Sequence, residues 1–256
     1  MENEVKEAMF DNTQLLNDYT SHLSIDCVIF GFHNNELKVL LSKFPKIDVW
    51  ALQGGFVKKQ EDIDAAAVRT LQEMTGLNNI FLKQYHTFGK ANRPTYNDSL
   101  KQAFNDIDVD IENISFLNQR FISIGYYSLV HFPKVTPSVG FFFERSEWFD
   151  IHNLPDLALD HAEMIEYALE SMRHSLDYHI VGFNLMPETF TMKELQSLYE
   201  TILGEPLRRN NFQEKILNMG ILERLEKQYT GGAHKAPYLY RFKQAGVVHK
   251  IDEMVE

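Results

Sequence analysis

Ser24 to Phe32 and Glu36 to Lys43 are runs of β-branched residues and leucine separated by His33-Asn34-Asn35. That pattern predicts two strands joined by a tight hairpin. Asp48 to Val57 is a third apolar stretch, broken by Gly54-Gly55. Across 62–75 the period lengthens: Ala66, Ala67, Leu71 and Met74 fall near one face, and Gly76 supplies a helix stop. Asn79–Phe88 and Arg120–Phe132 read as strands, and Phe141 to Phe149 as a short strand or edge. Residues 1–20 lack a strong period and predict an arm or short helix. Between 90 and 119 the chain holds Pro94 and several Asn and Asp, the mark of a functional or disordered loop. Asp160 is placed to cap a helix running to about Met172.

A different rhythm follows. Residues 191–203 predict a helix opened by the capping box Thr191…Glu194, with Leu195, Leu198, Tyr199, Ile202 and Leu203 as its apolar stripe. Gly204-Glu205-Pro206 stops it, and a second helix runs from about Arg208 to Met219, with Phe212, Ile216 and Met219 inward and Gly220 at its end. Ile221–Leu225 and Tyr238–Phe242 alternate as strands around the loop Gly231–Pro237. Helix, tight turn, helix and β-hairpin is the order of a winged helix-turn-helix.

Composition narrows the class. The 256 residues are 44% hydrophobic and 24% charged, as expected of a globular chain. No apolar run approaches a membrane span, and the polar N-terminus is unlike a signal peptide, so the expected location is the cytoplasm. Cys27, the single cysteine, lies in an apolar run and reads as a small buried hydrophobe. The net charge of −11 argues against nucleic acid, but it is unevenly spread. Residues 186–250 hold ten Lys or Arg against seven Asp or Glu.

The candidate chemistry is at Gly55–Leu77, which resembles the Nudix box. Gly55, Glu61, Arg69, Leu71, Glu73, Gly76 and Leu77 match that pattern. A Nudix helix presents three glutamates on one face for Mg²⁺; here Thr70, Glu73 and Met74 stand there. Magnesium wants anionic oxygen, so a hydroxyl, one carboxylate and a thioether should not hold a catalytic cluster. The expectation is no catalytic residue, no metal and no cofactor. Glu73 is read as a structural partner of Arg69 one turn back. Gly54 and Gly55 serve a backbone turn, and Trp50 is either core or a ligand platform.

The resemblance continues through Trp148–Pro155, Asp160-His161, Gly182–Pro187 and Phe190–Glu200. It is to Nudix-related transcriptional regulators, nearest among them to the arabinose-responsive AraR type. It implies an α+β chain: a Nudix-like α/β/α sandwich with a mixed sheet at about 22–156, a connecting helix at 157–176, and a winged helix at 177–245. It also implies a homodimer that binds a double-stranded DNA operator, does no catalysis, and answers to a pentose or related sugar, or second to a nucleotide sugar. The alternative is a nucleoside-diphosphate (sugar) pyrophosphohydrolase. Arg208, Arg209, Asn210, Asn211 and Lys215 open the second helix where a recognition helix meets base edges, and His234 and Lys235 would be a wing on phosphate. Gln53, Arg93 and Arg120 are candidate pocket residues, each equally readable as surface. The insertion at 95–118 departs from the family and could line or cover the pocket.

Overall fold

The computed structural model describes residues 12–45, 47–76, 81–95, 115–132, 143–174, 176, 178–228 and 236–243. Among them, a short helix α1 (Asn12–Asp18) leads into β1 (Tyr19–His33), β2 (Glu36–Lys43), β3 (Trp50–Ala51), β4 (Gln53–Lys58), α2 (Ile63–Thr75), β5 (Phe81–Phe88), β6 (Ile122–Val130), β7 (Arg145–Asp150) and α3 (His161–His174).

β1 organises the sheet. One edge runs parallel to β6, with Ile25 opposite Ile124. The other edge is shared: its first half pairs antiparallel with β4 and its second half with β2. The path β3-β2-β1-β6-β5, with β4 on β1 and β7 on β2, makes a seven-stranded mixed sheet. Because β1 is central, both faces of its middle are buried, which explains the apolar run Cys27–Phe30. Ile25, Cys27 and Ile29 pack with Ala66, Ala67 and Leu71 of α2. Val28 and Phe30 turn to Met164, Ile165, Ala168 and Met172 of α3. The helices thus cover opposite faces, giving the expected α/β/α sandwich. Asn34 and Asn35 both have positive φ (52° and 62°), as a two-residue hairpin of matching twist requires.

Several boundaries move. β1 starts at Tyr19, five residues before the predicted Ser24, with an irregularity at His22 (φ 64°). The apolar stretch 48–57 is two strands, split at Leu52, whose N–H donates to Nδ1 of His161 at 3.1 Å. The edge strand β7 starts at Arg145; Phe141 and Phe142, the predicted start, lie outside the described residues, as does most of the 95–118 insertion.

The second unit comprises α4 (Tyr178–Leu185), β8 (Phe190–Thr191), α5 (Met192–Leu203), α6 (Arg209–Asn218), β9 (Leu222–Lys227) and β10 (Tyr238–Phe242), with sheet order β8-β10-β9. The capping box of α5 forms as predicted: Glu194 N donates to Thr191 Oγ1 and Thr191 N to the Glu194 carboxylate. Helix α4 was not legible from period, because Tyr-His-Ile-Val-Gly-Phe-Asn-Leu has no polar face. Gly182 lets it approach the sheet: a Cβ there would lie 2.3 Å from the Phe242 ring.

The units share one core. Val28, Phe30, Leu37 and Val39 of the first lie in the same apolar cluster as Leu195, Leu198, Ile202 and Phe242 of the second. Arg173 Nε at the end of α3 donates to the Ile202 carbonyl of α5 (2.6 Å), and Thr201 Oγ1 to the Asn35 carbonyl at the hairpin tip (3.2 Å). The first unit is thus tied to α5 through α3 and the β1–β2 hairpin.

Candidate sensor site and nucleic-acid interface

The strand β4, the loop after it and α2 hold the degenerate Nudix box. Arg69 is its centre. Its Nε and Nη2 donate to the two oxygens of Glu61 (2.7 and 2.8 Å), and Nη2 also donates to the Phe56 carbonyl (2.9 Å). Glu61 in turn accepts from Lys58 N at 3.2 Å. The hydrogen bond from Arg69 holds the Glu61 carboxyl below the usual range, and the same bond raises Arg69. The matched residues of the box thus act as a brace from strand to helix. Gly76 ends the helix in the left-handed region (φ 69°), with its N–H on the Gln72 carbonyl.

The three positions where the family places metal-binding glutamates are different in kind. Thr70 is buried, its Oγ1 has no hydrogen-bond partner among the described residues, and it packs so closely on Gly55 that a Cβ there would sit 2.8 Å away. Glu73 is exposed and lies 3.4 Å from Arg69, the pairing predicted from their spacing. Met74 is half-buried. One exposed carboxylate, a buried hydroxyl and a thioether do not fit Mg²⁺. Among the described residues, no group of three or more His, Cys, Asp or Glu is arranged to hold a metal.

The three pocket candidates do not share a hydrogen-bond partner. Gln53 is fully buried and exchanges hydrogen bonds with Ser42 of β2 (2.8 and 3.1 Å), so it is an internal strand-to-strand link. Arg93 is also sealed in. It donates to both oxygens of Asp160 (2.5 and 2.7 Å), to Ser123 Oγ (2.7 Å) and to the Phe88 and Phe121 carbonyls. Both are corrections: polarity near the motif strands marked internal ties, not an open pocket wall. Arg120 is exposed, and its carbonyl accepts from His22. Trp50 is core, edge-on to Phe149 at 4.6 Å. Cys27 is fully buried, and burial pushes its thiol up, as an inert core residue requires. His161 lies buried where β4 meets α3. Burial holds its pKa down, and its Nε2 faces Asp26 at 3.7 Å.

In the second unit, α6 is the exposed helix of the helix-turn-helix. Phe212 and Ile216 anchor it, with Phe212 against Tyr199 of α5. Arg208 stands at the N-cap, and Arg209, Asn210, Asn211 and Lys215 are exposed, with no acidic residue in the first turn. The guanidinium and amide groups are thus presented together at the end a recognition helix points at bases. His234 and Lys235 lie outside the described residues.

Comparison with known proteins agrees with this architecture. Residues 20–168 match the NUDIX domain family, and residues 182–242 the NrtR DNA-binding winged helix domain. An Acinetobacter baylyi protein named "ADPR responsive transcriptional repressor NtrR" is 30% identical over 247 residues, 93% of this chain and 89% of its own. Shewanella oneidensis NrtR has the same fold, with TM-score 0.66, 24% identity, and 87% and 94% of the two chains covered. Its complex with a 27mer DNA aligns with TM-score 0.65, 25% identity, and 86% and 93% covered. These matches lend no support to a nearest likeness with the arabinose-responsive group. The chain belongs to the NrtR-type family of DNA-binding transcription regulators, in which a Nudix domain precedes a winged helix.

Proposed function

We propose that this protein is an ADP-ribose-responsive transcriptional repressor that acts as a homodimer and does not turn nucleotides over. Support for the effector and for the sign of regulation comes from the Acinetobacter baylyi relative, named for both and similar along almost the whole chain. The carrying observation in the molecule is the box itself: its brace of Glu61, Arg69 and Gly76 is intact, while two of its three metal donors are replaced. Such a domain keeps a Nudix shape without the charge needed for pyrophosphate cleavage. ADP-ribose ends in a pentose, so the expected sugar recurs as part of a larger ligand, and a free pentose becomes the second choice. Of the three pocket candidates, exposed Arg120 is the one left to meet an effector. Effector binding would bias a population of dimers toward or away from the geometry that fits an operator. The route would be α3 and the hairpin, through Arg173–Ile202 and Thr201–Asn35.

Thermal unfolding tests this directly. A ligand at about one hundred times its Kd stabilises the folded state by about 2.7 kcal/mol. For a chain of this size that is a rise of roughly 5–10 °C in melting temperature. ADP-ribose is expected to give that rise and to release DNA, and arabinose to give none. A rise with arabinose alone would overturn the proposal. Glu73→Gln separates the hydrolase alternative. Because Glu73 is an exposed residue in a long surface pair, the variant should change stability by less than about 0.5 kcal/mol. It should also keep the ADP-ribose response. Magnesium-dependent release of nucleotide monophosphate by the wild type, abolished in Glu73→Gln, would establish the enzyme instead.

A further inference from the structure

We propose that the wing hairpin carries a two-cation phosphate grip, Arg224 and Lys227 gathered on the ring of Tyr238, which holds the DNA backbone. It rests on the DNA-binding role of this unit and adds a site outside α6 and outside the wing tip.

The grip is made by a β-bulge. In regular pairing, side chains three residues apart on a strand point to opposite faces. Here Lys227 pairs with Tyr238 and Arg224 with Tyr240, so Leu225 and Glu226 together oppose the single residue Leu239. The extra residue brings Arg224 and Lys227 onto one face, the side that Tyr238 and Tyr240 occupy. There the Arg224 guanidinium lies 4.7 Å and the Lys227 ammonium 5.2 Å from the Tyr238 ring centroid. Tyr238 is 38% exposed, one of the few large apolar side chains left in solvent.

Two cations on one exposed ring repel each other, and hairpin stability alone does not call for the second. A carboxylate would relieve them, but Glu223 is held by Arg241 at 2.8 Å and Glu226 sits in the bulge. An anion from outside would be shared by both cations, with the ring limiting their freedom before it arrives. Tyr240 and Phe242, on the same face of β10, are buried in the core of the winged helix, so the grip occupies the outer, exposed end of that face.

Phosphate contacts are independent of sequence and are read by salt dependence, so the operator need not be known. Binding of the full-length protein to a duplex of about 30 base pairs of arbitrary sequence would be followed by fluorescence anisotropy between about 50 and 200 mM salt. For Arg224→Ala/Lys227→Ala, the slope of log affinity against log salt should become shallower by about 3.6 for the dimer, the loss of two contacts per subunit at about 0.9 each. Affinity at the lower salt should fall at least about tenfold. Tyr238→Leu should weaken binding with both charges kept, and Tyr238→Phe should bind as wild type. Arg241→Gln removes a cation on the opposite face and should leave the slope alone; melting temperatures report that each variant is folded. An unchanged slope in the double variant, or an equal loss in Arg241→Gln, overturns the grip while DNA binding stands. No binding of any duplex by the wild type removes both the grip and the regulator function.

Discussion

Arg93→Ala is expected to destabilise the fold by about 3–5 kcal/mol, because it leaves the Asp160 carboxylate buried without its counter-charge. The side chains of the pair are 5% and 10% exposed, and Arg93 also ties Ser123 and the Phe88 and Phe121 carbonyls. In a chain of this size the loss is roughly 10 °C in melting temperature, measured by calorimetry or circular dichroism. Arg93→Lys should recover only part of it, since an ammonium cannot meet both oxygens in the planar geometry a guanidinium offers. The pair also fixes a pH dependence. Burial raises the Asp160 carboxyl, but the hydrogen bonds and charge of Arg93 outweigh it and hold the group below its ordinary value. A lowered folded pKa contributes stability that is fully present above the unfolded value, near ~3.9, and is lost as pH falls through the folded one. The gap between wild type and Arg93→Ala should therefore be widest at neutral pH and narrow in acid. A gap that stays constant down to pH about 3 would show that Arg93 acts by packing alone.

Arg209→Ala/Asn210→Ala/Asn211→Ala is expected to abolish discrimination between operator and random duplex. A good bidentate side-chain-to-base contact discriminates by about 1–3 kcal/mol. Losing even two brings an affinity ratio down by roughly thirtyfold or more. The residues are exposed and the helix is anchored by Phe212 and Ile216, so folding should be unaffected. The result to expect in a competition assay on the protein's own upstream DNA is collapse of the specific complex to the affinity of random sequence. Much of the salt dependence should remain, since it comes from phosphate contacts. Retained discrimination would place base recognition on another element. Together with the wing substitutions, this separates the groups that read sequence from those that set affinity.

Sequence patterns reached their limit at particular residues. The spacing of Arg69 and Glu73 identified a real pair, since helix geometry alone brings those positions together. The capping box at Thr191 and Glu194 was equally secure, because donor and acceptor lie within one turn. Arg93 was misread as a pocket residue: Asp160 is 67 positions away, and no local signal links the two. Gln53 failed for the same reason, its partner Ser42 lying across a strand pair. Helix α4 escaped because its sequence is apolar nearly all round, which leaves no polar face for period detection to find. The pairing of Arg224 and Lys227 ran against strand alternation and became visible only with the register.

What lies within a turn of helix or a stretch of strand is written in residue order, because 3.6- and 2-residue periods leave a local trace. That was enough for the separate strands and helices and for the helix-turn-helix order, while the Nudix-like sheet and the loss of two acidic donors were read from the resemblance of Gly55–Leu77 to the Nudix box. Which distant charges meet, and which polar groups are sealed inside, depended on how the layers close over one another. Burial and register are properties of the packed whole, and they turned Arg93 into a clamp and Arg224 with Lys227 into a grip.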